Sequence, residues 1–166
     1  MLKIVTNPNP ILKELLQNFD FENPVTDPVD LEKQMLEVMF ANNGIGLAAN
    51  QVGINARVFV MGHKDFAENA QAYFNPEIVA NTQQVTEDEE GCLSFPGVYV
   101  KIKRPAAIKV KYQNSKGKVE ETEFKGYECR CFLHEYDHLE GITFQDRISQ
   151  LKWALAVKKS QKRKYK

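Results

Sequence analysis

The sequence predicts an α+β domain, and the ordering of its hydrophobic patterns carries that assignment. Five strand-like runs cluster between residues 57 and 124, and a helical segment bearing a pair of histidines follows them. The two kinds of segment do not alternate as strand–helix–strand units, which excludes a doubly wound parallel sheet. No repeat, low-complexity block or linker divides the 166 residues, so one domain spanning 1–166 is expected.

Taken in order, the first element is a helix opened by Asp27-Pro28, an N-cap followed by proline at the first helical position. Leu31, Met35, Val38 and Met39 mark its apolar face, and Asn43-Gly44 closes it. Strands are expected at Arg57–Met61, Gln71–Val79, Val98–Lys103 and Ala107–Tyr112. The last pairs with Lys118–Phe124 through the turn Asn114-Ser115-Lys116-Gly117. A helix then runs from about Tyr127 to Glu140 and stops at Gly141, and a final helix covers Ser149 to about Lys159.

Composition excludes more than it assigns. A chain 43% hydrophobic and 27% charged is an ordinary globular protein, so these figures name no function. No segment approaches the roughly 20 apolar residues of a membrane span, and Met1 to Pro10 lacks a signal-like apolar stretch, so a soluble, cytoplasmic protein is expected. Three cysteines, at 92, 129 and 131, are too few for a disulfide framework and fit a reducing compartment. Lys158, Lys159, Lys162, Arg163, Lys164 and Lys166 crowd the last positions; without those six, 16 basic face 22 acidic residues. Such a basic tail (158–166) either touches nucleic acid or a ribosomal surface, or is a solvated, frayed terminus.

The chemistry centres on His134-Glu135-Tyr136-Asp137-His138. Histidines four apart on a helix stand one turn above the other and reach one metal together. Glu135 then meets the water in the open coordination position and takes its proton. Two histidines on an unrelated surface helix are the bland alternative. A catalytic metal wants a third protein ligand. Cys131 lies about 7.5 Å along the axis from a metal midway between the histidines, too far for a metal–sulfur bond of about 2.3 Å. Cys129 and Cys131 read as small buried helix residues. Cys92, in Glu90-Gly91-Cys92-Leu93-Ser94, remains, although by itself such a thiol is more often an inert core residue. The third histidine, His63, reads as a surface turn residue. The glycine-rich run Gly44-Ile45-Gly46-Leu47-Ala48-Ala49-Asn50-Gln51 is not a phosphate cradle, since it lacks the lysine and the hydroxyl residue.

Together, GIGLAANQ (44–51), EGCLS (90–94) and LHEYDHLEG (133–141) resemble the three motifs of the peptide deformylases, in that family's order and with similar separations. The resemblance covers about Ile4 through Arg147. One departure is visible: Leu133 stands where the family usually has glutamine, which leaves the ligands intact but removes a local hydrogen bond. The resemblance implies antiparallel sheets packed around a central HExxH-bearing helix, with a C-terminal helix. It implies a monomeric hydrolase that removes the formyl group from N-formylmethionyl nascent peptides and releases formate.

Carried over residue by residue, Cys92, His134 and His138 hold the metal and Glu135 moves the proton. Gln51, through its side-chain amide, and Leu93, through its backbone N–H, stabilise the oxyanion. Ile45, Gly46 and Gly91 hold the peptide by its backbone in a strand-like way. Ile45, Leu93 and Tyr127 form the methionine pocket, and Arg130 lines its mouth unless it belongs to a solvated helix face. Glu90 and Arg104 pair to brace the Cys92 loop, and Asp137 orients a ligand or an arginine. The ligand set alone suits zinc, iron(II), cobalt or nickel equally; the resemblance implies Fe2+, with Zn2+, Ni2+ or Co2+ substituting. Two rivals stand beside this reading. A zinc peptidase would need a downstream third ligand, and no histidine follows His138. A structural-metal or ribosome-binding module would have little use for Glu135 and Gln51.

Overall fold

The computed structural model describes residues 1–164; Tyr165 and Lys166 lie outside the described residues. Helix α1 (Pro28–Ala41) opens where Asp27 accepts a 2.9 Å hydrogen bond from the Asp30 N–H, and it buries Leu31, Met35, Val38 and Met39. It ends as Asn43 turns left-handed, with φ 56°, and the Gly44 N–H bonds the Met39 carbonyl.

Among the described residues, β1 (Gly46–Ala48), β2 (Val58–Met61), β3 (Gln71–Asn81), β6 (Ala107–Gln113) and β7 (Val119–Lys125) form one antiparallel sheet, ordered β1-β2-β3-β6-β7. The expected hairpin joins β6 to β7, with Ile108 opposite Phe124 and Gln113 opposite Val119. A second, two-stranded sheet pairs β4 (Val85–Cys92) with β5 (Phe95–Pro105). Strands β1 and β4 were not expected from the residue pattern. The first is three residues long, and the second is a run of exposed acids with no apolar alternation.

Helix α2 (Gly126–Leu139) lies between the two sheets. Phe132 packs edge-on to Phe59 at 4.9 Å and beside Phe124 at 5.3 Å, in the core beneath the larger sheet. Each such fully buried side chain contributes about 1.5–3 kcal/mol. From the same helix, Arg130 and His134 reach across to the two-stranded sheet. Leu133, the residue that departs from the family motif, is 8% exposed and belongs to the main core. Gly141 ends α2 with φ +71°; a Cβ there would meet the Lys13 carbonyl oxygen at 2.6 Å, so this turn needs glycine.

Helix α3 (Gln150–Lys164) starts at Ser149, whose hydroxyl accepts from the Lys152 N–H. Trp153 packs edge-to-face with Phe95 and Phe144 in a second core cluster, which fixes α3 on β5. The stretch expected to fray from 158 onward continues the helix through Lys164. Ser160 is buried, and the Arg163 guanidinium sits 5.7 Å over the Tyr99 ring. These contacts hold the last turns down despite their charge. Lys166 of that basic run lies outside the described residues.

Candidate metal centre and active site

Cys92 is delivered by the tip of the β4–β5 hairpin. It pairs with Phe95 across the turn Leu93-Ser94, while Gly91 pairs with Tyr99, and this shift of register turns the tip toward α2. One ligand atom each from Cys92, His134 and His138 lies within 4.8 Å of the others. The Cys92 Sγ and the His138 Nε2 are 3.4 Å apart. Two buried imidazoles and a partly buried thiol converge here, the nitrogen and sulfur set that suits a single borderline-soft divalent metal. Cys131, set aside on distance, is no part of this cluster.

The histidine tautomer follows from the surroundings. His134 Nδ1 lies 2.9 Å from Glu90 Oε1, and an ionised carboxylate only accepts, so Nδ1 carries the proton and Nε2 faces the metal position. Burial alone would raise Glu90, but Arg104 and His134 outweigh it and hold the carboxyl down at about 2. Burial and the neighbouring His134 charge keep His138 well below its ordinary value, hence neutral, the form that binds metals. At His134, burial is outweighed by hydrogen bonds that the ring donates to Cys92 and Glu90, which raise the imidazole well above its ordinary value, so a metal bound there would displace a proton.

A charge network supports the ligands from behind. Arg104 donates Nε and Nη2 to the two Glu90 oxygens at 2.6 and 2.9 Å, and Nη1 to Asp137 at 2.9 Å. Asp137 also takes both contacts from Arg147, at 2.9 and 2.6 Å, so it orients arginines rather than a ligand. Arg130 is 6% exposed, and the solvated alternative for it does not hold. Its guanidinium bonds Glu90 at 2.8 Å, the Ile102 carbonyl at 2.7 Å and the Thr86 carbonyl at 3.0 Å. Removing one member of such a buried set strands the others' charges, at about 3–5 kcal/mol.

A cavity of about 520 Å³ opens onto Cys92, His134 and Glu135. Ile45, Gly46, Gly91, Leu93, Tyr127 and Arg130 all contribute to its wall. Tyr127 is 62% exposed and forms its rim. Cys131 also lines the cavity, a place sequence reasoning did not assign it; its spacing one turn before Glu135 was the available signal. Burial pushes its thiol well above the ordinary range, so it serves as wall and not as nucleophile. Gln51 and His138, each 1% exposed, lie deeper. The Gln51 amide nitrogen is 3.5 Å from Cys92 Sγ.

Glu135 is 4% exposed, and burial raises its carboxyl to about 7, with Glu90 adding to the shift against His134. Its Oε2 is buried without a hydrogen-bond partner. An acid–base group poised near neutral pH with one oxygen free is what proton transfer requires. Gly46 makes room for it: a Cβ at that position would meet Glu135 Oε1 at 2.6 Å and its Cγ at 2.8 Å. Gly46→Ala should therefore displace Glu135 and lower turnover about tenfold to a hundredfold, with bound metal retained. Steady-state kinetics beside metal analysis check this, and wild-type turnover in the variant would remove the close-approach role.

Comparison with known proteins agrees with this geometry. The family described as Polypeptide deformylase matches residues 1–154. A peptide deformylase of Thermotoga maritima is 48% identical over 127 residues, covering 76% of this chain and 76% of that one. The crystal structure of a peptide deformylase from Legionella pneumophila superposes with TM-score 0.90 at 32% identity, over 99% of this chain and 96% of that one. A class I type b peptide deformylase from Acinetobacter baumannii, solved with Met-ala-ser bound, superposes with TM-score 0.80 at 32% identity, over 89% and 98% of the two chains.

Proposed function

The chain belongs to the polypeptide deformylase family, and from that premise we propose how its own residues carry out the reaction. It is a metal-dependent hydrolase that removes the N-formyl group from newly made polypeptides. The observation carrying the residue-level reading is the convergence of Cys92, His134 and His138 beside the unpartnered carboxylate of Glu135.

Cys92, His134 and His138 would hold one metal ion, iron(II) by family resemblance, with zinc, nickel or cobalt able to take its place. When bound, the ion supplies Lewis-acid polarisation of the formyl oxygen and acidifies the attacking water. Glu135 takes the proton of that water as its oxygen bonds to the formyl carbon. It returns the proton to the amine nitrogen as the carbon–nitrogen bond breaks, so the products are formate and a free N-terminus. The Gln51 amide and the Leu93 backbone N–H stabilise the oxyanion between those steps. Ile45, Gly46 and Gly91 hold the peptide by its backbone, and Ile45, Leu93, Tyr127 and Cys131 enclose the methionine side chain. The Met-ala-ser peptide seen in the Acinetobacter baumannii relative supports that choice of ligand.

Formyl-Met-Ala-Ser and unformylated Met-Ala-Ser, each incubated with iron-loaded protein and resolved by mass spectrometry, test the reading. Loss of the formyl group alone from the first is expected. Scission of internal peptide bonds in the second would favour a peptidase. Glu140, the first acid after His138 in the chain, is instead paired with Arg57 at 2.8 Å.

No helix among the described residues is long and apolar enough to cross a membrane. A monomer working in the cytoplasm is part of the same proposal, as is ribosome contact through α3, where Lys158, Lys159, Lys162 and Arg163 lie exposed on one continuous helix. Deletion of 158–166 should weaken co-sedimentation with ribosomes at low salt. Unchanged co-sedimentation would dismiss that contact.

A further inference from the structure

Gln51 ends in a primary amide, whose two ends match in shape and oppose in polarity, so something must decide which end faces the reaction. Two main-chain groups decide it. The Ala48 N–H, which only donates, bonds Gln51 Oε1 at 2.9 Å. At the other end Gln51 Nε2 donates to the Ser94 hydroxyl oxygen at 3.1 Å. That hydroxyl has one proton, and it is committed to the Val5 carbonyl at 2.7 Å, a group that only accepts. Ser94 therefore offers the amide lone pairs and nothing else. A reversed amide would set oxygen against oxygen at Ser94 and N–H against N–H at Ala48.

The Val5 carbonyl is itself fixed. The Val5 N–H bonds the Gln51 carbonyl at 2.7 Å, and the Asn7 N–H bonds the Ser94 carbonyl at 2.9 Å. Ser94 and Gln51 are 0% and 1% exposed, so water does not compete for these groups. With one amide proton held by Ser94, the other is directed to the Cys92 side, 3.5 Å from Sγ.

We propose that Ser94, locked by the Val5 carbonyl, is a positioning residue that orients the Gln51 amide toward the developing oxyanion. The inference rests on the reading of Gln51 as an oxyanion donor. Ser94 does not touch substrate; it acts through Gln51. The segment 5–7, remote in sequence from every motif, thereby becomes part of the site's frame.

The test is a double-mutant cycle on the iron-loaded protein, with kcat, KM, metal content and melting temperature read for Ser94→Ala, Gln51→Ala and the pair. Ser94→Ala should lower kcat about tenfold to a hundredfold with KM changed by less than about twofold. In the Gln51→Ala background the same substitution should cost nothing more, because the amide it orients is gone. Equal losses in both backgrounds, or no loss in the wild-type background, would overturn the orienting role. If Ser94→Ala fails to fold, Ser94→Cys, which keeps the shape with a weaker acceptor, should show the same pattern at smaller amplitude; equal losses there would overturn it too. A Gln51→Ala variant with wild-type kcat would instead strike the oxyanion reading itself, and the inference with it.

Discussion

Glutamine in place of Glu135 should cut formate release by about a thousandfold while the metal stays bound. General acid–base transfer contributes about a hundredfold to ten-thousandfold, and here one carboxylate both takes and returns the proton. The substitution keeps volume and shape at a position that is 4% exposed, so packing against Gly46 survives. Glu135 is not among the three residues whose ligand atoms converge, so metal content should not change. Formate release and metal analysis on the same preparation check both halves. Turnover within about tenfold of wild type would take the proton-transfer role away from Glu135.

Cys92→Ala should weaken metal binding by more than about a hundredfold, since loss even of a residue that merely supports a ligand costs about tenfold to a hundredfold. Activity should fall with it. Cys92 sits at a hairpin tip and is only partly buried, so the metal-free protein should keep its fold. Competition against a chelator gives the affinity, and the melting temperature of the metal-free form reports the fold. Wild-type affinity in this variant would place the metal elsewhere.

Much of this was legible before any coordinates. The Asp27-Pro28 cap, the β6–β7 hairpin and the start and glycine stop of α2 are local signals, and each lies where local chemistry puts it. The three motifs name the residues that converge, because His134 and His138 share a helical face and Cys92 is framed by glycine and a turn. Strand β4 was not legible. Its buried side chain is Glu90, where an apolar residue would be looked for, and the partners of Glu90 are Arg104 on β5 and Arg130 on α2. Long-range charge pairing leaves no periodicity in the strand that receives it. Arg130 was open to two readings for the same reason: its place depends on acceptors about forty residues away in sequence, at Glu90 and Thr86. Likewise Ser94 and Val5 carry no signal of their own. Only the fold brings the N-terminal segment against Ser94 and, through it, the Gln51 amide.

The measurement that bears most directly on metal-dependent deformylation at Cys92, His134 and His138 is anaerobic formate release from formyl-Met-Ala-Ser. It should be made on iron-loaded protein, on the same protein stripped by chelator, and again after reloading. Expected are release by the loaded form, none after stripping, and recovery on reloading that Cys92→Ala does not share. Undiminished release from stripped protein, or none from protein shown to carry a full complement of metal, would contradict that centre.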